Sequence, residues 1–175
     1  MRLRVWAAWA VAVVSSVALG ALLGVLWARL APRVELIVAG DGKPYPEGFQ
    51  PEGYMSDDGI AAILCLVAGL VVGAVVVLVM RRSAADGDRD RAMRWATLIV
   101  LPLGAAGAAA LWLVGTRIGG FDLAQVVALA DAGDPVRAPL RLRMPGVLVL
   151  WPAASVLVVF AVAVGDWLAG RTRAH

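Results

Sequence analysis

The sequence predicts an all-α membrane protein, with four transmembrane helices in a small up-down bundle and a short extracytoplasmic cap containing a β-hairpin and an interfacial helix. Three observations predict it. Residues 5–28, 59–80, 95–116 and 144–165 contain no Asp, Glu, Lys, Arg or His, and a helix of roughly 20 apolar residues crosses a hydrocarbon core about 30 Å thick. Hydrophobic residues make up 61% of the chain and charged residues 17%, against about 45–50% and 25% in an ordinary soluble domain. All 16 Lys/Arg, all 13 Asp/Glu and the single His lie between or beyond those four runs. The remainder is too short for a separate soluble domain, so residues 1–175 read as one integral-membrane domain.

The first span follows Arg2 and Arg4, which resemble the charged start of a signal peptide. Its apolar run is longer than the usual 7–15 residues, and no small-x-small cleavage site precedes Arg29, so an uncleaved anchor is expected. Gly20 and Gly24 are four apart in this span, as are Gly69 and Gly73 in the second. Small residues at that spacing line one helical face and let two backbones approach closely, so spans one and two are expected to pack there. Ser56, Asp57 and Asp58 precede the second span, where their side-chain oxygens suit the free N–H groups and positive dipole of a helix start. Pro102, Gly104 and Gly107 in the third span, and Trp151-Pro152 in the fourth, predict bends. The seven tryptophans, Trp6, Trp9, Trp27, Trp95, Trp112, Trp151 and Trp167, all fall near span ends, as in the aromatic belts of the headgroup layer.

Polar side chains inside the spans are few: Ser15, Ser16, Thr97, Thr116 and Ser155, each able to bond a carbonyl one turn earlier. Intramembrane charges mark proton relays and ion pathways. Their absence from all four spans argues against a proton-coupled or charge-selective transporter.

Orientation follows from the retention of Lys and Arg in cytoplasmic loops. Residues 1–4, 81–94 and 166–175 carry nine Lys/Arg in 28 residues, whereas 29–58 and 117–143 carry seven in 57. The first set is expected in the cytoplasm with both termini, and the second outside the plasma membrane. In the first outer segment Val34, Leu36 and Val38 alternate with Glu35 and Ile37 before the turn dipeptide Asp41-Gly42, which predicts a hairpin despite the prolines of its return strand. In the second, residues 121–132 carry Leu123, Val126, Val127 and Ala130 at helical spacing, and Leu140, Leu142 and Met144 alternate like a strand.

Catalytic chemistry is scarce. Glu47, Glu52, Asp57 and Asp58 are the candidate acid–base or cation-binding carboxylates, though Asp57 and Asp58 suit a capping role better. Residues 86–90 imitate a calcium loop, but Arg91 stands where the sixth-position glycine belongs and Thr97 where the twelfth-position glutamate belongs. Cys65 is alone, which excludes an intramolecular disulfide or zinc cluster. His175 has no Ser/His/Asp or Cys/His arrangement around it. No catalytic residue, cofactor or metal site is expected. The pI near 9.7 reflects arginines beside apolar spans rather than a continuous basic face, so no nucleic-acid partner is expected. Arg137, Arg141 and Arg143 are the candidate contacts for anionic lipid headgroups, against the more ordinary role of interfacial anchors.

Ser56-Asp57-Asp58-Gly59 leading into LVAGLVVGAVVVLVMRR, and APLRLRMPGVLVLWPAASVLVVF at the fourth span, resemble a family of small, uncharacterised four-span membrane proteins of high-GC actinobacteria. The resemblance implies the same architecture and a cell-envelope setting, and carries over no motif. The expected function is that of a non-enzymatic accessory or assembly protein, with the bilayer and another membrane protein as partners. The alternative is a small carrier or lipid-handling protein with a neutral apolar cavity between bent helices three and four. An envelope enzyme using Asp57 and Asp58 is the third reading.

Overall fold

The computed structural model describes residues 2–46, 51–83 and 89–172. In chain order it contains α1 (Arg2–Leu30), β1 (Glu35–Val38), β2 (Pro44–Pro46), α2 (Pro51–Ser83), α3 (Arg89–Gly119), α4 (Leu123–Ala128), β3 (Pro135–Arg137), a 3-10 turn (Pro145–Val149) and α5 (Leu150–Thr172). Helices α1, α2, α3 and α5 are each long and apolar enough to cross a membrane. They outrun the charge-free stretches because the flanking Arg, Glu and Ser residues do not stop a helix. Pro51 opens α2, a position where its missing N–H costs nothing. Ser56, Asp57 and Asp58 therefore sit inside α2 rather than capping it, which corrects the expected boundary.

The helices alternate in direction. The end of α1, the start of α2, the end of α3 and the start of the last helical segment gather at one end, where Trp27 bonds to Asp57, Arg33 to Gly119, and Met144 to Asp58. At the opposite end, Arg81 of α2 reaches Asp166 of α5 at 3.1 Å.

The neighbours differ from those of a simple up-down bundle. Helices consecutive in sequence are not the closest partners: α1 packs chiefly on α3, α2 chiefly on α5, and α3 also touches α2 and α5. The Gly20–Gly24 and Gly69–Gly73 faces do not meet each other as expected. A Cβ at Gly24 would lie 2.6 Å from the Leu111 carbonyl oxygen and 3.0 Å from the Gly115 nitrogen, while Gly20 lies against Gly107. Because residue numbers rise together along the contact, α1 and α3 run parallel. Gly69 meets Trp151 and Ala154, and a Cβ at Gly73 would lie 2.9 Å from the Ser155 backbone, so α2 and α5 are parallel too. A glycine stripe permits close approach but does not specify the partner.

One serine stitches each parallel pair. Ser16 donates to the Leu103 carbonyl at 2.7 Å and Ser155 to the Gly69 carbonyl at 2.8 Å, both across helices instead of one turn back. Thr97 and Thr116 do bond one turn back, to Met93 and Trp112. Interhelical bonds of this kind contribute about 0.6 kcal/mol on average, so the glycine contacts carry most of the pairing.

Two tryptophans leave the expected belt. Trp27 and Trp151 are fully buried and anchor a core cluster with Leu111, Leu140, Cys65 and small alanines, whereas Trp6, Trp95, Trp112 and Trp167 are exposed. A second cluster, Val77, Met93, Ala96, Val100 and Val159, fills the other half of the bundle. Pro102 lies inside an unbroken α3. Pro152 is in the first turn of α5, which continues directly from the 3-10 turn at Pro145–Val149.

The cap joins both long connections. Strand order is β2-β1-β3, all antiparallel, with Leu36 opposite both Pro46 and Val136. The Asp41-Gly42 turn closes the hairpin with Gly42 at φ +73°, which favours glycine. Val34, Leu36, Val38 and Val136 face Leu123, Val127 and Ala130. Asp122 caps α4 by accepting from the Ala124 N–H at 3.0 Å. The interfacial helix expected over 121–132 is thus a six-residue lid whose apolar side packs on the sheet. The strand expected at 140–144 is also corrected. Residues 135–137 pair with β1, while the Leu140 N–H goes to the Gly119 carbonyl and those of Arg143 and Met144 to Asp58.

Candidate functional site

The polar chemistry concentrates in a collar where the helix ends meet the cap. Trp27 donates its indole N–H to the Asp57 carbonyl at 2.8 Å, and Gly115 lets the ring lie flat against α3. Arg33 donates to the Gly119 carbonyl at 2.9 Å and to the Ala28 carbonyl at 3.3 Å. These are carbonyls left free at the ends of α3 and α1, so a cation there also answers the negative helix termini. Asp58 accepts the Arg143 and Met144 N–H groups at 3.1 and 2.8 Å. Charge-assisted bonds of that kind are worth about 1.5–3 kcal/mol each, and they fix the entry to α5 against α2.

The carboxylates considered for acid–base work have separate fates. Asp58 is occupied by backbone donors. Asp57 is buried, and its Oδ1 has no hydrogen-bond partner; Trp151 Nε1 is the other buried polar atom in that condition among the described residues. The carboxylate that acts on Asp57 electrostatically is Asp58, whose two oxygens are taken by the Arg143 and Met144 N–H groups, so the two are not paired as general acid and base. Glu47, Glu52, residues 86–90 and His175 lie outside the described residues or side chains. Among the described residues no group of three or more His, Cys, Asp or Glu converges. On the exposed hairpin, Tyr45 donates to Asp41 at 3.0 Å, and that bond, with the carboxylate's charge, raises the phenol above its ordinary pKa.

The arginines proposed for anionic lipid do not converge. Arg137 stands on β3. Arg141 lines a cleft of about 370 Å³ with Trp112, Thr116 and Phe121, and Arg143 has its backbone bound to Asp58. The structure instead groups Arg137 with Arg29 and Arg33, which sequence reasoning did not single out. These three, with Ala28, Ala31 and Glu35, line an open cleft of about 470 Å³ between the end of α1 and the sheet. The one available signal was that Arg29 and Arg33 flank the end of an apolar run.

Fold and collar together define a mostly helical protein with four helices able to cross a membrane and a small sheet closing one end of them. No family model, curated protein or solved structure matches the chain.

Proposed function

We propose that the protein is a non-enzymatic accessory or assembly protein of the plasma membrane, acting through its lipid-facing helix surfaces and its cap. The observation that carries this reading is the filled bundle centre. The carrier alternative needs space around Gly104, Gly107 and Pro152. There, a Cβ on Gly104 would lie 2.7 Å from Pro152 Cα, and one on Gly107 would lie 2.7 Å from the Trp151 ring. Close packing supports a scaffold over a conduit. Purification of the protein, tagged at its native level, from gently solubilised membranes should recover a stoichiometric membrane-protein partner. Recovery of the protein alone across mild detergents would overturn the reading.

The arginine distribution supports a cap outside the cell with both termini in the cytoplasm. The sequence's only native thiol, Cys65, is buried, so Lys43→Cys on the exposed hairpin gives a clean reporter. A membrane-impermeant maleimide should label it in intact cells. Labelling only after lysis would reverse the topology.

A further inference from the structure

We infer that the cleft formed by Arg29, Arg33 and Arg137 is a binding site for a phosphate ester, presented by the headgroup of an anionic lipid. Its walls come from segments more than a hundred residues apart. Arg29 lies in the last turn of α1 and has no hydrogen-bond or ion-pair partner among the described residues. Arg33 is half-buried, held from behind by the Gly119 and Ala28 carbonyls. Arg137 lies opposite Glu35 in the β1–β3 ladder. Their closest approach is 3.9 Å, with both side chains largely exposed, and such loose surface pairs hold their partners weakly. Arg137 therefore keeps donors to offer.

The cleft lining brings three guanidiniums against one carboxylate, Glu35, and Asp57 acts on Arg33 from behind, so a net positive charge faces an incoming anion. Guanidinium forks match phosphate oxygens in pairs. Two features favour a lipid as the source. Arg29 ends a stripe that continues down α1 through Leu26 and Leu22 at helical spacing, and both leucines are exposed on the bundle surface. An acyl chain can lie along that stripe while its headgroup enters the cleft. The site also opens at the limit of the apolar run, the depth at which headgroups reside. It does not depend on the accessory role proposed above, because it is tested with purified protein alone.

The test is native mass spectrometry of the protein in an uncharged detergent, titrated with phosphatidylglycerol and with phosphatidylcholine of the same acyl chains. Phosphatidylglycerol should bind preferentially, and Arg29→Gln with Arg137→Gln should weaken it about tenfold, the effect of losing charge-assisted bonds. Arg33 is left intact because it also secures α3. Glu35→Gln should strengthen binding, which a purely structural role for these arginines would not produce. Arg82→Gln with Arg94→Gln removes the same charge at the opposite end and should leave binding unchanged; an equal loss there would overturn the site. Equal retention by wild type and the Arg29/Arg137 variant would overturn it as well. Glycerol 3-phosphate should fail to displace the lipid. Displacement at equal concentration would transfer the site to a soluble phosphate ester and overturn the lipid assignment.

Discussion

Gly20→Leu should lower the stability of the folded bundle by about 3 kcal/mol or more, because the new side chain has nowhere to go. A Cβ at this position meets the carbonyl group of Gly107 and the Ala110 side chain. Backbone cannot move aside as a flexible side chain does, so the substitution falls at the upper end of overpacking costs. The readout is the fraction folded as SDS displaces a mild detergent. Gly165→Leu is the matched control: a Cβ there meets nothing within 4 Å. It should be neutral or stabilising by up to about 1 kcal/mol, the helix-propensity difference. Gly107→Leu should be as harmful as Gly20→Leu through a separate contact, because a Cβ there meets the Trp151 ring and the Ser16 hydroxyl. A wild-type midpoint for Gly20→Leu would show that α1 and α3 do not meet there.

Trp27→Ala should cost about 3–5 kcal/mol, as expected for removing a fully buried indole from a close-packed core. Trp27 is fully buried, its ring lies on Gly115, and its N–H is bound to the Asp57 carbonyl. Trp27→Phe separates the two contributions: it keeps most of the packing and loses the bond, for a loss of about 1 kcal/mol in the same SDS titration. A wild-type midpoint for Trp27→Ala would mean that the ring lies at a wet interface, as its position near a span end first implies.

The four spans and the hairpin were legible because each rests on a local signal. A run without charge has one cheap environment, and Asp41-Gly42 closes a tight turn through a backbone conformation glycine tolerates. The α1–α3 pairing was not legible. Gly107 and Gly115 are eight apart with Leu111 between them, so the stripe on α3 does not announce itself as the pairs on α1 and α2 do. Trp27 and Trp151 were read as belt residues from their distance to the span ends, which says nothing about the side of the helix they occupy. Alternation at Leu140–Met144 marks no strand, and Leu140 is buried while Met144 is exposed. It cannot tell whether a ladder partner is free, and here β1 was already taken. The Arg29–Arg33–Arg137 cleft depends entirely on tertiary assembly, and the trio sought in sequence, Arg137, Arg141 and Arg143, was grouped by proximity along the chain.

The parallel pairing of alternate helices has a consequence for biosynthesis. Ser16 and its acceptor Leu103 are 87 residues apart, and Ser155 and Gly69 are 86 apart. At a translation rate of about 5–20 residues per second, roughly 4–17 s separate the synthesis of α1's contact face from that of its partner. Throughout that interval its glycine face lacks the neighbour that covers it in the bundle. The first helix made is thus a helix in waiting, because its chief neighbour is the third long helix to emerge and not the second.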